Sequence, residues 1–340
     1  WGRLSDLFGR KLILIFSLFI SSIAQIWFAL SDDLLIMFLS RAIAGAASGN
    51  IGVIQAIIAD STNKEDRAKN MGYLGAAIGL GFIFGPILGA FASSFSESVH
   101  TGPFLIAGFF SFSSMLFAMK YVKNDRKRNQ IKRNNISLLF KDILDSGLLV
   151  FAFCWCAISF SFAQVEAIFV ISLRDSLNFN TFKSGLFFTY IGALIFIVQG
   201  FLVGPMTKRY GDLSTGRIGL YFLTLGQVLT AILVIISIEV LGYKILLFGT
   251  LLSTLFICLG FGLCNPAISS ASSKIVNMKN MGASMGVFQG FGSLGQVLGL
   301  GIAGPLYAIG GSSLPFFFGG ITIALIIILL FPKLILISQS

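Results

Sequence analysis

Two charged residues lie inside long apolar segments and are the first candidates for chemistry. Arg41 lies in Leu34–Ile58, and Glu166 lies in Leu148–Leu173. In a lipid bilayer a central arginine costs at least about 2.5–3.5 kcal/mol, so it normally faces a cavity and a partner. An isolated carboxyl group in an apolar setting can take up and release a proton near neutral pH. We therefore predict that Glu166 is a proton or cation site that faces Arg41. Solvation at the outer end of each segment is the alternative for both residues.

Polar residues at helical spacing are further candidates for the lining of a cavity. Arg41, Ser48 and Gln55 recur every seven residues and would share one face of a straight helix. Gln164 lies about 200° around the helix from Glu166, so both cannot face one cavity. We select the glutamines Gln25, Gln55 and Gln289, although a neighbouring helix could satisfy each of them instead.

The sequence opens with a charged turn that is bracketed by glycines, Gly2 to Lys11. Gly2 and Gly9 permit backbone angles that other residues resist. Asp6 is within reach of Arg10 or Lys11 for a charge-assisted hydrogen bond. A second short polar stretch, residues 59–69, carries an acid and a cation, Asp60 and Arg67, and Asp60 could cap the following turn. The alternative is a pair of ordinary loops with anchoring cations.

Motifs for enzymes and cofactors are either absent or out of context. Gly290–Gly295 and Gly299–Gly304 both match GxGxxG, but neither follows a strand, so dinucleotide binding is rejected. The sequence contains no GxxxxGK[ST] motif, no Ser-His-Asp set and no cluster with metal-ligand spacing. We predict that the chain is not an enzyme and that it holds neither a cofactor nor a metal.

Composition excludes a soluble fold. The 340 residues are 56% hydrophobic and 11% charged, with a mean hydropathy of +0.90, whereas soluble domains carry about 25% charged residues. Apolar stretches long enough to cross a membrane must be helical, because backbone groups in hydrocarbon need internal partners. We predict an all-α membrane protein with ten spans: Leu12–Leu30, Leu34–Ile58, Met71–Phe95, Pro103–Tyr121, Leu148–Leu173, Phe182–Val203, Ile218–Ile238, Ile245–Ala271, Gly282–Ala308 and Leu314–Phe331.

The distribution of cations predicts the orientation of these spans. Of the 24 Lys and Arg residues, 20 fall on the side of the opening turn, three fall on the other side, and Arg41 lies within a span. This asymmetry is the positive-inside rule, so the opening turn is cytoplasmic. The most basic stretch, residues 122–146, separates four spans in 1–121 from six spans in 147–340. It lacks interleaved aromatic residues, which favours anionic lipid headgroups over nucleic acid as its contact.

An internal repeat indicates that the two parts are related halves. The stretch Gly204 to Asp212 repeats the opening turn 202 residues later, and Met71 and Gly72 recur 214 residues later as Met285 and Gly286. The later copies have diverged, since Lys208 stands where Asp6 would and Leu300 stands where Pro86 would.

The opening pattern GxLxDxxGRK, followed by a span, resembles the loop motif between the second and third spans of major facilitator superfamily transporters. A second pattern resembles the fifth-span motif of drug:proton antiporters in that superfamily, with Ala90 replacing its final glycine; its residues are Gly72, Gly81, Gly85, Pro86 and Gly89. Arg41-x3-Gly45 is similar to the fourth-span motif, whose arginine is linked to proton coupling. Such an arginine would stabilise a neighbouring carboxylate or bind substrate.

Helical geometry and the resemblance together suggest how these motifs work. Gly81, Gly85 and Gly89 fall on one helix face and would let a neighbouring helix approach closely, while Pro86 favours a kink. By analogy with members of the tetracycline-efflux type, Asp6, Arg10, Asp60 and Arg67 would form a cytoplasmic latch. The fold implied is the major facilitator fold with two pseudo-symmetric halves and ten of twelve spans present, the first span and most of the second being missing.

The function implied is proton-coupled efflux of a small amphipathic organic compound, drug-like or tetracycline-like, by alternating access. Its partners would be that compound, protons and the lipid bilayer, without nucleic acid, and the protein would act as a monomer in the bacterial cell membrane. Transport of a sugar or another metabolite is one alternative. A non-functional fragment lacking the first two spans is the other.

Overall fold

The computed structural model describes residues 1–95, 98, 100–123, 147–276 and 280–339. In these ranges the chain forms fourteen α-helices and two short π-helical segments. Ten helical stretches are long and apolar enough to cross a membrane, which confirms the predicted all-α class and the count of spans. The helices are α1 Gly2–Phe8, α2 Arg10–Ala29, α3 Leu34–Ala47, α4 Asn50–Ser61, α5 Arg67–Ser93, α6 Thr101–Tyr121, α7 Leu148–Leu177, α8 Thr181–Ile197, α9 Val203–Tyr210, α10 Asp212–Leu241, α11 Tyr243–Lys274, α12 Met281–Gly310, α13 Ser313–Leu325 and α14 Phe331–Gln339.

The span that carries Arg41 is interrupted. Helix α3 ends at Ala47 and α4 begins at Asn50, and the hydroxyl of Ser48 donates to the carbonyl oxygen of Gly45 at 2.7 Å. The prediction that Arg41, Ser48 and Gln55 share one straight helical face is therefore wrong, because Arg41 and Gln55 belong to different helices. Apolar length alone cannot reveal such a break.

The opening turn contains more helix than the sequence suggested. Residues 2–8 form α1, and the chain reverses at Gly9, whose φ of 97° is a conformation that favours glycine. The repeat shows the same local structure, since α9 ends at Gly211 with a φ of 80° and α10 follows directly. The two turns thus share a helix–glycine–helix geometry.

Two π-helical segments interrupt spans in the second part of the chain. Val198–Leu202 joins α8 to α9, and Ile326–Leu330 joins α13 to α14. Such segments often occur at functional positions. The first of them contains Gln199, which is 2% exposed and packs against α5.

The chain forms two compact units in terms of its internal contacts. Unit 1 comprises Trp1–Ser61, Phe84–Ser146 and Val276–Gln289, and unit 2 comprises Thr62–Ile83, Gly147–Ile275 and Gly290–Ser340. Helices α5 and α12 contribute one end to each unit. The sequence-based division into 1–121, 122–146 and 147–340 stays a prediction, and its basic linker lies outside the described residues from position 124 onward.

Small residues bring helices close together in both units, as membrane helices require. In unit 1, Ser22 of α2 donates to the carbonyl oxygen of Gly108 in α6 at 2.9 Å. In unit 2, a Cβ atom at Gly219 of α10 would lie 2.8 Å from the backbone nitrogen of Cys264 in α11. Close backbone packing therefore holds the helices of each unit.

Candidate functional sites

Unit 2 contains a cavity of ≈ 180 Å³ among helices α5, α7, α8 and α11. Its walls are almost entirely apolar. Five phenylalanine rings line it, from Phe82, Phe162, Phe169, Phe188 and Phe261, and the rings of Phe162 and Phe261 stack with centroids 3.8 Å apart. Among the described lining residues, the charged group is the carboxylate of Glu166. The cavity therefore combines aromatic faces with a negative charge.

Glu166 has a defined hydrogen-bond partner on a different helix. The side-chain amide of Gln296 in α12 donates to its Oε2 at 3.1 Å, while the side chain remains exposed. Gln164, two residues earlier, is 0% exposed and does not line the cavity. This arrangement agrees with the prediction that the two side chains of α7 cannot face one cavity.

The predicted polar residues of unit 1 pair with one another. Gln289 donates through Nε2 to Oε1 of Gln55 at 2.9 Å, which joins the first part of α12 to α4. Gln289 and Gln296 lie two helical turns apart on α12, and their partners, Gln55 and Glu166, belong to different units. Gln25 accepts a hydrogen bond from Arg41 at 2.8 Å.

The guanidinium group of Arg41 lies between two aromatic rings. Its central carbon is 4.4 Å from the ring centre of Phe28 and 4.7 Å from that of Phe104, while Nη2 donates to Gln25. Planar guanidinium groups stack well on aromatic faces. Among the described residues of unit 1, the partners of Arg41 are thus two rings, the amide of Gln25 and, at 3.5 Å, the carbonyl oxygen of Ala24. Glu166 belongs to unit 2, so the predicted facing of Arg41 and Glu166 stays a prediction.

Replacing Arg41 with lysine should lower the thermal stability of the protein. Lysine keeps the charge but loses the planar group that stacks on Phe28 and Phe104, so we expect the unfolding midpoint in detergent to fall by about 3 °C. The matched control is Arg174→Lys, at an exposed position in α7, which should leave the midpoint unchanged. An unchanged midpoint for Arg41→Lys would show that stacking of the guanidinium group on Phe28 and Phe104 contributes no stability.

A buried arginine joins two acids at the predicted cytoplasmic ends of unit 1. The side chain of Arg10 is 2% exposed, its Nε donates to Oδ2 of Asp60 at 2.5 Å, and its Nη2 lies 3.3 Å from Oδ1 of Asp6. These are three of the four residues predicted to form a latch. Lys11 follows on α2 and is partly exposed.

Asp6 also binds the amino-terminal end of α12. Its two carboxylate oxygens accept hydrogen bonds from the backbone N–H groups of Gly282 at 3.0 Å and Ala283 at 2.7 Å. A helix start presents unpaired N–H groups and a positive potential, so an acid is favourable there. Gly2 is required beside it, because a Cβ atom would collide with the carbonyl oxygen of Gly282. No pattern in the sequence predicts this contact, since backbone N–H groups exist at every helix start.

Arg67, the fourth predicted latch residue, lies in unit 2. It is 3% exposed and donates through Nη1 to the carbonyl oxygen of Ser273 at 3.0 Å and to its hydroxyl at 3.4 Å. Ser273 is in the last turn of α11, where carbonyl groups lack helical partners. Arg67 thus contacts the end of α11 within unit 2, and the latch of four residues stays a prediction.

The glycines of the predicted antiporter motif do not all make the close contact expected of them. No described atom lies within 4 Å of a Cβ built at Gly81, Gly85 or Gly89, so close packing of a neighbouring helix on this face stays a prediction. Pro86 lies within α5, which continues through it. The glycines of α5 that make close contacts lie nearer the amino-terminal end of the helix.

Three glycines in this part of α5 pack against α8 and the segment that follows it. A Cβ at Gly72 would collide with the carbonyl oxygen of Gln199, and one at Gly75 would collide with the side-chain amide of the same residue. A Cβ at Gly79 would lie 3.0 Å from the carbonyl oxygen of Gly192. Spacing on a helix reveals a small-residue stripe, but several stripes coexist in α5 and the sequence does not say which one is covered.

Comparison with known proteins gives the family. The model of the Major Facilitator Superfamily matches residues 1–260, which is more than half of the chain. This chain belongs to the Major Facilitator Superfamily. Members are transporters rather than enzymes, in agreement with the sequence, and the protein is a multi-pass protein of the cell membrane.

Similar proteins within the superfamily are named for drug resistance. Multidrug resistance protein 1 of Bacillus subtilis is 27% identical over 95% of this chain and 80% of its own length. Quinolone resistance protein NorA of Staphylococcus aureus is 24% identical over 98% of this chain and 82% of its own length. Tetracycline resistance protein, class H, of Pasteurella multocida is 25% identical over 90% of this chain and 73% of its own length. The resemblance to drug exporters of the superfamily is confirmed.

A solved structure shows the same fold. The human organic anion transporter MFSD10 superimposes with a TM-score of 0.80 and 22% identity, over 97% of this chain and 79% of that chain. At this identity the likeness establishes the major facilitator fold and not the transported compound.

Proposed function

We propose that this major facilitator exports small amphipathic organic cations in exchange for protons, by alternating access. The observation that carries the proposal is the aromatic cavity of unit 2 with the carboxylate of Glu166 in its wall. Aromatic faces attract an organic cation through their quadrupoles, and an apolar wall accepts its hydrocarbon body. A sugar would leave most of its hydroxyl groups unpaired against such a wall.

A single carboxylate can couple two fluxes if the proton and the cation compete for it. When Glu166 is protonated it offers no charge to a cation, and when it binds a cation it holds no proton. The amide of Gln296 fixes the orientation of the carboxylate in either case. Exchange of one proton for one singly charged cation moves no net charge, so the membrane potential does not drive it. The proton concentration difference does, and a tenfold difference supplies about 1.4 kcal/mol, which supports a modest gradient of the exported compound.

The similar proteins support export of drug-like compounds, because their names record resistance to several drugs, to quinolones and to tetracycline. The name of the human structural neighbour records organic anions instead. The acid in the cavity favours cations for this chain, since an anion would be repelled by the carboxylate.

The cytoplasmic cluster of Asp6, Arg10 and Asp60 supports the alternating-access part of the proposal. Asp6 precedes the central linker in sequence and Gly282 follows it, so the hydrogen bond between them joins the two predicted sequence halves. We call this cluster, together with the N–H groups of Gly282 and Ala283, the first latch. Opening the cytoplasmic side would break it, and closing that side would form it again.

Proton exchange can be tested in vesicles that contain the purified protein, an acidic interior and a trapped pH-sensitive dye. We expect external ethidium, a planar aromatic cation, to raise the internal pH as it exchanges for protons. Protein-free vesicles, and protein-containing vesicles given naphthalene sulfonate or glucose, should show no rise. An equal rise with glucose or with the anion would contradict the proposed substrate class, and no rise with any aromatic cation would contradict proton exchange.

A further inference from the structure

The second turn, Gly204 to Asp212, carries charges that are opposite to those of the opening turn. The sequence alone indicates a diverged copy of the opening turn in which Lys208 replaces the acid. The same inversion occurs at every position of the first latch: Lys208 stands for Asp6 and Asp212 stands for Arg10, each 202 residues later, and Lys274 stands for Asp60, 214 residues later. All three charges have changed sign together.

The inverted charges pair as their counterparts do. Nζ of Lys274 lies 2.8 Å from Oδ2 of Asp212, and the two side chains are 29% and 8% exposed. This ion pair joins the first residue of α10 to the last residue of α11. In the first latch, Arg10 is likewise the first residue of α2, and Asp60 lies in the last turn of α4. Inversion of both members preserves attraction, which divergence of one member alone would destroy.

Lys208 also has a partner, and that partner explains how a cation can replace Asp6. Nζ of Lys208 lies 3.0 Å from Oδ1 of Asp66, the residue immediately before α5. A lysine cannot bind a helix start directly, because the N–H groups there carry a positive potential. In the second turn the acid is Asp66, which lies at the start of α5. Lys208 of the turn pairs with it.

Equivalent helices pack against the two turns: α12 against the first and α5 against the second. A Cβ at Gly286 of α12 would lie 3.4 Å from Cα of Gly2, and a Cβ at Gly72, its counterpart in α5, would lie 3.5 Å from Cβ of Val203 in α9. A Cβ at Gly204 would lie 3.0 Å from Cγ of Lys69, near the start of α5. The start of α5 therefore lies against the second turn as the start of α12 lies against the first.

We propose that Lys208 and Asp66, supported by the ion pair of Asp212 and Lys274, form a second cytoplasmic latch of inverted charge. It rests on the alternating-access part of the proposed function. Asp66 precedes the central linker and Lys208 follows it, so this pair, like the first latch, joins the two predicted sequence halves. The buried hydrogen bond from Arg67 to the carbonyl oxygen of Ser273 also joins the two predicted sequence halves. The pair breaks when the cytoplasmic side opens.

A cysteine reporter tests the second latch without any substrate or proton gradient. Ala76 in α5 is 5% exposed and lies against Gly200, so Ala76→Cys, with the four native cysteines replaced by serine, reports opening of this contact. In membranes with the cytoplasmic side accessible, we expect Lys208→Asp to raise the rate of reaction with N-ethylmaleimide about three- to tenfold, because two acids then face each other. The charge swap Asp66→Lys with Lys208→Asp should return the rate to within about twofold of the parent.

The matched control is Arg209→Asp, which makes the same change of charge at the next residue. Within the described residues Arg209 contacts the ring of Tyr210 rather than an acid, so the Arg209→Asp variant should react at the rate of the parent. An unchanged rate for Lys208→Asp, or a swapped protein that reacts as fast as Lys208→Asp, would overturn the second latch. Failure of ethidium exchange would contradict the proposed substrate or coupling and would leave this labelling result intact, so the two failures are distinguishable.

Discussion

Glu166→Gln is expected to lower ethidium-driven proton exchange by at least about 100-fold while the protein stays folded. The amide has nearly the same shape as the carboxyl group, and it still offers an oxygen to Nε2 of Gln296. It cannot bind and release a proton near neutral pH, and it carries no charge for an organic cation. The measurement is the initial rate of internal pH change in vesicles, together with the unfolding midpoint in detergent.

Two further variants separate the carboxylate from its surroundings. Glu166→Asp keeps the charge on a shorter side chain and should retain part of the exchange. Gln296→Leu removes a hydrogen bond and leaves the carboxylate, so the rate should fall only severalfold. If Glu166→Gln exchanges protons as fast as the parent, Glu166 has no part in coupling, and the cavity must bind its substrate without it.

The spans were predictable because their cause is local. A helix that crosses a bilayer must be about 20 apolar residues long, and the predicted Pro103–Tyr121 differs from the observed α6 by two residues at its start. The break between α3 and α4 was not predictable in this way, since Ser48 and Gly49 interrupt a run whose overall hydropathy stays high.

The functional residues also fall into two groups: some could be identified from the sequence, and others depend on contacts in the tertiary fold. Asp6, Arg10 and Asp60 were identified because the loops that carry them resemble those of members of the tetracycline-efflux type. The partners of Arg41 were not, because the rings of Phe28 and Phe104 belong to the apolar majority of the sequence and have no distinguishing spacing. Likewise, the pair of Gln296 and Glu166 depends on how α12 lies against α7, which is a property of the tertiary fold.

Asp6→Asn is the second large effect that we expect, with ethidium turnover reduced about 30-fold and KM within about threefold of the parent. Asp6 is 9% exposed, and its carboxylate accepts two backbone hydrogen bonds and pairs with buried Arg10. Charge-assisted hydrogen bonds contribute about 1.5–3 kcal/mol each. Asparagine has one acceptor oxygen, so its amide nitrogen would face an N–H donor of α12, and Arg10 would lose one of its two carboxylates.

Turnover and KM respond differently because Asp6 lies outside the cavity of unit 2. A latch changes the population of closed and open states, which limits the rate of the cycle, whereas the contacts that bind ethidium are unchanged. The measurement is therefore the initial rate of exchange over a range of ethidium concentrations. A parallel loss in KM would place Asp6 in substrate binding and remove the first latch from the mechanism.

Asp33→Asn is the matched control for the first latch. Asp33 also caps a helix start, accepting from the backbone N–H of Ile36 at 3.0 Å, but its side chain is exposed and it lies at the opposite end of a span from Asp60. The same chemical change there should cost about 1 kcal/mol of stability at most and leave turnover unchanged. If both variants lose turnover equally, the loss reflects weakened helix caps in general. If only Asp6→Asn loses it, the contact of Asp6 with α12 controls the rate at which the cytoplasmic side opens and closes.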